Sequence, residues 1–437
     1  MKKLMALACS ALMLATVVGC GGGDKPADDN GGTTTEKTVM KFDAFSGGNG
    51  EDVWKEMETA FEAKNENIDV QLRFENDLPS VLQKENATGS YSDLVYYNLG
   101  QPSQFTETQL QTGEVLDISD VFADCADTVR ADFADSAVSK YLGDGKNYLA
   151  PISFSPTGLF YSKTLFTEKG YEVPTTWDEL YALGDKAKAD GIALFTYPTA
   201  GYFDCGIFAM LGQQGILQKA TQYDPTTWTS TEGRAVLDNV AKLVSADYLH
   251  ADTVSNSLAD GGFTTNQQNV IDGKALFCPN GTWLIGEMAA TTPEGFEWGF
   301  VPYPANEGGK QAVYTYTEQC FIPKQAANPD AAKAFLKFIY SEEGATIMAK
   351  YNMAVPINGI TDKLAEDQKI FYSVFDDANV NGYASAWGAY DSTSIPDVDL
   401  NGTLINTIND IATGNKTVDE WATALTDVFT KINDVRK

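Results

Sequence analysis

The sequence predicts an α/β fold, and three observations carry that prediction. Short alternating runs of strand type are interleaved with longer stretches whose apolar residues recur at helical spacing. From the first such run the order is strand, helix, strand, helix, strand. The composition is that of a folded chain, with 43% hydrophobic and 21% charged residues. A length of 437 residues leaves room for two or three domains with a core in each.

The N-terminus reads as an address. Lys2 and Lys3 precede a nearly unbroken apolar run, Leu4 to Val18. That run is shorter than the roughly 20 residues of a membrane-spanning helix and fits a secretory signal. It ends Val17-Val18-Gly19-Cys20, which resembles a bacterial lipobox, so residues 1–19 are expected to be removed and Cys20 to carry lipid. Two acyl chains suffice for stable anchoring. Residues 20–37 are rich in Gly, Asp and Thr, with almost nothing to bury, and read as a flexible tether. No later segment is apolar enough to span a membrane.

The folded part begins near Thr38. Val39–Phe45 alternates as a strand, and Gly47-Gly48-Asn49-Gly50 breaks it. Val53, Trp54, Met57 and Phe61 then mark one helical face. Ile68–Phe74 is a second strand, Pro79–Ala87 a helix, and Asp93–Tyr97 a third strand. Thr176 and Glu179 fit a capping box that opens a helix ending at Gly191. Ile192–Tyr197 is strand-like. Asn328 with Pro329 starts a helix whose apolar face holds Phe335, Phe338 and Ile339. Thr417 and Glu420 form another capping box, followed by the stripe Trp421, Leu425, Val428 and Ile432.

Charge and side-chain inventory remove several functions. Asp and Glu number 60 against 31 Lys and Arg, for a net charge of −29. That balance opposes non-specific binding to nucleic acid and attraction to anionic lipid. The single histidine, His250, would have to serve any Ser-His-Asp, Cys-His or multi-histidine zinc site. No P-loop, GxSxG or HExxH motif occurs. Asp397-x-Asp399-x-Asn401-Gly402 resembles the start of a calcium loop, but Ile408 stands where the bidentate Glu belongs. Asp120, Asp124, Asp127, Asp132 and Asp135 read as a solvated acidic face. Cys125, Cys205, Cys278 and Cys320 are widely spaced. They allow two disulfides in any of three connectivities, or four buried thiols.

Six blocks in order carry a resemblance. They are the lipobox with its tether; Gly158-Leu159-Phe160-Tyr161-Ser162-Lys163 followed by Pro174-Thr175-Thr176-Trp177-Asp178-Glu179-Leu180; Gly273-Lys274-Ala275-Leu276-Phe277 with Asn280-Gly281-Thr282-Trp283; Ala331–Phe338 with Ser341–Ala345; Val355-Pro356-Ile357-Asn358; and Gly414–Glu420. With these the chain resembles the extracellular solute-binding proteins of ABC importers, in the carbohydrate-binding, maltose-binding-protein-like family. The blocks span almost all of the mature chain and specify the family, not the ligand.

The resemblance implies a two-lobe, type II periplasmic-binding-protein-like fold with a hinge and a ligand cleft between lobes. One lobe would hold residues 38–153 and 312–371, the other 154–311 and 372–437. It implies a monomer without a cofactor or catalysis. The protein would sit on the outer face of the cytoplasmic membrane, held by lipid alone, and deliver a sugar to a membrane permease. Aromatic faces suit the C–H face of a pyranose, and short polar side chains suit its hydroxyls. The ligand-binding residues implied are Ser46, Tyr97, Asn98, Gln101, Ser155, Tyr202, Phe203, Trp283 and Trp387. Asp93 reads as structural. Asn401 stands where maltose-binding protein begins a helix with an aromatic residue, a departure that argues against maltose. A binder of another solute and a secreted glycosidase with paired carboxylates are the alternatives.

Overall fold

The computed structural model describes residues 37–45, 50–101, 103–136, 138–384 and 395–436, without the side chains of residues 204, 205 and 436. The expected signal segment, Cys20 and nearly all of the tether lie outside the described residues, as do Ser46 and Trp387.

Three strands stand close to where alternation puts them. β1 is Thr38–Phe45, β2 is Ile68–Glu75 and β3 is Leu94–Tyr96. β1 pairs in parallel with both neighbours, and the helices Asp52–Glu62 and Leu78–Asn86 make the crossovers. Val53, Trp54, Met57 and Phe61 are buried, as their helical spacing requires. Asp93 is 1% exposed and structural: its carboxylate accepts from the backbone N–H of Lys41 at 2.9 Å and of Asn328 at 2.6 Å. It thereby ties β1 to the start of the helix Pro329–Ile339.

The remaining strands are β4 (Ala150–Ser162), β5 (Ala193–Phe195), β6 (Ala275–Gly281), β7 (Trp298–Val301), β8 (Gln311–Phe321) and β9 (Val380–Ala384). Among the described residues these nine strands join in the order β2-β1-β3-β8-β4-β6-β5, with β7 also on β4 and β9 on β8. β4 and β8 are the long members and pair antiparallel along their length, with a register shift between Pro151 and Ser153. The first end of β4 lies beside the end of β8 that pairs with β3, and its far end pairs with β6 and β7.

Two hydrophobic cores flank this pair of strands. One gathers Phe42, Trp54, Phe61, Phe133, Phe154, Phe160, Phe335, Tyr340 and Tyr372. The other gathers Phe195, Tyr197, Phe208, Trp228, Phe277, Tyr314, Trp421 and Phe429. The capping boxes form as expected. Thr176 Oγ1 accepts from Glu179 N, and Glu179 Oε2 accepts from Thr176 N at 3.1 Å. Thr417 and Glu420 repeat the exchange at the start of the helix Val418–Arg436. Its stripe Trp421, Leu425, Val428 and Ile432 is buried in the second core.

Candidate functional site

The site lies where β4 and β8 pass each other between the cores. Ser155 stands opposite Tyr316, and Ser153 opposite Glu318. Side chains alternate across a strand, so these four project from one face while Phe154 and Thr317 turn to the other. Phe154 is 1% exposed and packs on Phe133, Tyr372 and Phe375. The polar face is the floor of a cavity of about 540 Å³, within the ~300–1,000 Å³ usual for small-molecule sites. Tyr316 is 39% exposed, an aromatic ring left open on a strand whose other rings are covered.

Most of the walls come from segments that follow strands. Thr199, Gly201 and Tyr202 follow β5, Trp283 follows β6, and Asn352 follows the helix Glu342–Lys350. Openings at the carboxyl ends of strands are where α/β folds collect ligand contacts. Tyr202 and Trp283 are half-buried, with ring centres 6.4 Å apart and planes tilted by 54°. The indole lies directly against Gly281: a Cβ there would fall 2.2 Å from two of its ring carbons. Only a residue without a side chain lets the ring rest on the backbone.

A second layer fixes the floor. The Tyr372 hydroxyl donates to Phe154 O at 2.9 Å, and Phe154 N donates to Ala354 O at 2.9 Å. Burial pushes the Tyr372 phenol well above its ordinary pKa, so it remains a donor. Gln319 N donates to Asn98 Oδ1 at 3.0 Å, and Leu99 N donates to Gln319 Oε1 at 3.0 Å. The chain after β3 is thus locked to the end of β8.

Of the sequence-derived candidates, Ser155, Tyr202 and Trp283 come together in the cavity lining. Tyr97 and Asn98 are buried beside it: the Tyr97 ring packs edge-on against Phe45 and Phe105, with its hydroxyl 3.0 Å from Ser103 Oγ. Gln101 is half-buried in the same turn, its carbonyl accepting from Gln104 N. Phe203 is 3% exposed and packs on Phe195 and Tyr197. None of these four lines the cavity in this conformation. Ser153, Phe154, Thr199, Gly201, Tyr316, Glu318 and Asn352 line it and are not among those candidates. A Glu inside an otherwise covered strand was the available signal for Glu318.

Elsewhere the polar clusters are internally satisfied. Asp120 pairs with Lys333 and Asp124 with Lys337. Asp399 accepts from Gly402 N at 2.7 Å within its own turn. Among the described residues no group of three or more His, Cys, Asp or Glu is placed to hold a metal ion. Cys125, Cys278 and Cys320 are free and buried. No helix among the described residues is long and apolar enough to cross a membrane.

Comparison with known proteins defines the class. The profile of the bacterial extracellular solute-binding proteins matches residues 47–346, and the chain belongs to that family. It is 25% identical over 354 residues to the diacetylchitobiose binding protein NgcE of Streptomyces coelicolor, covering 77% of this chain and 72% of that one. It is 24% identical over 278 residues to the multiple sugar-binding protein of Streptococcus mutans, covering 58% and 62% of the two chains. The structure of the bacterial solute receptor AcbH, described as preferring β-D-galactopyranose, superposes with a TM-score of 0.72 at 20% identity over 91% of this chain and all of that one. The fold is that of the type II periplasmic solute-binding proteins.

Proposed function

We propose that this chain is the lipid-anchored extracellular receptor of an ABC importer, that it captures a sugar or oligosaccharide, and that it hands the ligand unchanged to a membrane permease. One observation carries the sugar reading: Trp283, Tyr202 and Tyr316 present ring surface to a cavity whose other lining residues are Ser, Thr, Asn and Glu, with Gly201 and Phe154. Rings match the C–H face of a pyranose, and the polar groups match its hydroxyl rim. The names of its relatives, binders of diacetylchitobiose, of multiple sugars and of galactopyranose, support the same class.

Ser155, Tyr202 and Trp283 are the proposed direct contacts, joined by Ser46, Gln101, Phe203 and Trp387 when the cleft closes. Tyr97 and Asn98 complete the set from beside the floor. Closure would bring residues 38–153 and 312–371 toward 154–311 and 372–437; two separate cores are present, though Phe160, Phe300 and Tyr372 belong to the first and Tyr314 to the second. Cys20 is the proposed lipid attachment, residues 1–19 the cleaved signal and residues 20–37 the tether, which places a monomeric receptor on the outer face of the cytoplasmic membrane.

The test is a thermal-shift screen of the full-length protein over mono- and oligosaccharides, with chromatography of each sugar that shifts melting. Ligand at 100 times its dissociation constant adds about 2.7 kcal/mol. A sugar that raises Tm and returns intact meets the expectation. No shift from any sugar, or a cleaved product, would overturn it. Mass spectrometry of the N-terminal peptide for a diacylglyceryl Cys20 tests the anchor.

A further inference from the structure

We propose that Gln267, acting through Glu287, is a positioning residue that holds the Trp283 ring at its setting against Tyr202 and so governs how tightly the cavity grips its ligand. This rests on the sugar reading and adds to the site a residue that lies outside the cavity.

The helix Gly262–Ile271 buries three amides, Asn266, Gln267 and Asn269, on the face where a packed helix ordinarily carries apolar side chains. Asn266 and Gln267 are adjacent and both 0% exposed, and neighbours on a helix point about 100° apart. They reach different walls. Asn266 Nδ2 donates to Tyr197 O at 2.8 Å and to Thr253 O at 2.9 Å, while its Oδ1 accepts from Asn256 Nδ2 at 3.0 Å. Tyr197 opens the segment that bears Thr199 and Tyr202. Gln267 Nε2 donates to Glu287 Oε2 at 2.8 Å. Glu287 belongs to the short helix Leu284–Met288, and its backbone N–H donates to Trp283 O at 3.1 Å. One helix thus grips the segment of one ring and the helix that starts at the other, and the two ring centres stand 6.4 Å apart.

Packing and stability do not account for the Gln267 amide. Its Oε1 is buried and has no hydrogen-bond partner among the described residues, a cost to folding that an apolar side chain of similar size would avoid. Its N–H goes to a carboxylate that water already reaches, since Glu287 is exposed and needs no protein donor. What the bond does is directional: a charge-assisted contact fixes the turn of the Leu284–Met288 helix relative to the helix that carries Gln267. On its other side the indole rests on Gly281. A ligand platform is as well placed as the residues behind it, and here those are Gly281 and the pair Gln267–Glu287.

The experiment labels the full-length protein in detergent with 5-fluorotryptophan, which gives a fluorine resonance for each of the seven tryptophans, and Trp283→Phe assigns that of Trp283. In Gln267→Leu and in Glu287→Ala the Trp283 line should shift or broaden while the lines of the buried Trp54, Trp228 and Trp421 stay in place. Tm should hold, or rise in Gln267→Leu as the orphaned oxygen is removed. Galactose, glucose, maltose and cellobiose are then titrated, and each that binds the parent should bind about 3- to 10-fold more weakly in both variants. Glu287→Gln keeps an acceptor for Gln267, and Gln268→Leu removes an amide of the same helix that donates to Asp272; both should match the parent. An unmoved Trp283 line, an affinity within about 2-fold of the parent, or an equal loss in Gln268→Leu overturns the inference and leaves the sugar reading standing. A fall in Tm with every tryptophan line displaced gives Gln267 a merely structural role and overturns it too. If Gln267→Leu fails to fold, Glu287→Ala, at an exposed position, carries the same test. If no sugar binds, it is the sugar reading that fails, and the fluorine line decides the placement of the indole by itself.

Discussion

Substituting Gly281 by Ala displaces Trp283 from its place against the backbone. An ideal Cβ at Gly281 falls 2.2 Å from Cζ3 and Cη2 of the indole and 2.6 Å from Cε3. Carbon atoms in contact settle at about 3.5–4.0 Å, so the ring must retreat by about 1.3 Å or more. Gly281 is not among the glycines with positive φ, so its backbone admits alanine, and the three nearest atoms its Cβ would meet all belong to the indole. The ring is half-buried and yields into open cavity, so the overpacking cost of a closed core does not apply. Stability should change by less than about 1 kcal/mol, while loss of the aligned stacking face should cost about 1–2 kcal/mol of binding. That is roughly 5- to 30-fold in Kd. Calorimetric titration with the tightest sugar from the screen measures the second quantity and thermal melting the first. Gly286→Ala is the control, since its added Cβ meets nothing within 4 Å. An affinity within about 2-fold of the parent at unchanged Tm would refute the placement of the indole against Gly281 and its role as a ligand platform.

Four further outcomes follow from the structure. Asp93→Ala strands two backbone N–H groups that its carboxylate now accepts, and should lower unfolding free energy by about 3 kcal/mol in urea titration. Arg73 holds Asp43, whose side chain is 5% exposed, at 2.6 Å and Glu85 at 2.6 Å. Arg73→Ala, which leaves Asp43 buried without its cation, should cost about 2–3 kcal/mol, and Glu85→Ala less than about 1 kcal/mol, by the same titration. Burial pushes the Cys125, Cys278 and Cys320 thiols up, so all three should resist Ellman's reagent at pH 8 in the native protein and react in guanidinium, read by mass spectrometry. Backbone N–H groups hold the Glu179 and Glu420 carboxyls below the usual range. A lowered folded pKa gives stability that is present above the unfolded value near 4.5 and lost as pH falls through the folded one. The Tm difference between wild type and the double variant Glu179→Gln/Glu420→Gln should therefore be visible at pH 6 and shrink as pH falls below 4.5.

Local chemistry made much of the fold legible. β1 and β2 are set by two-residue alternation, and the helices at Trp177 and Val418 begin where a hydroxyl and a glutamate stand three residues apart. Trp283, Tyr202 and Ser155 were reachable because each sits in a family block or just after a strand or chain crossing. Tyr316 and Glu318 were not, because their place depends on pairing with Ser155 and Ser153, far away in sequence. Register is fixed by tertiary contacts, and a shift of one residue would turn both to the opposite face. Phe203, next to Tyr202 in sequence, packs on Phe195 and Tyr197 in this conformation, a placement that its sequence neighbours do not announce.

The division of the cavity into a strand-built floor and loop-built walls sets how this molecule can change. One residue inserted into β4 or β8 would invert the floor and drive Phe154 outward, so those strands tolerate exchange of side chains but not changes of length. The segments carrying Thr199, Tyr202, Trp283 and Asn352 have no such partner register in the cavity, and can lengthen or shorten while both cores stay intact. New solute specificity is therefore open to such chains through insertions and deletions at the rim, while the base keeps its alphabet of small hydroxyls, one ring and one acid.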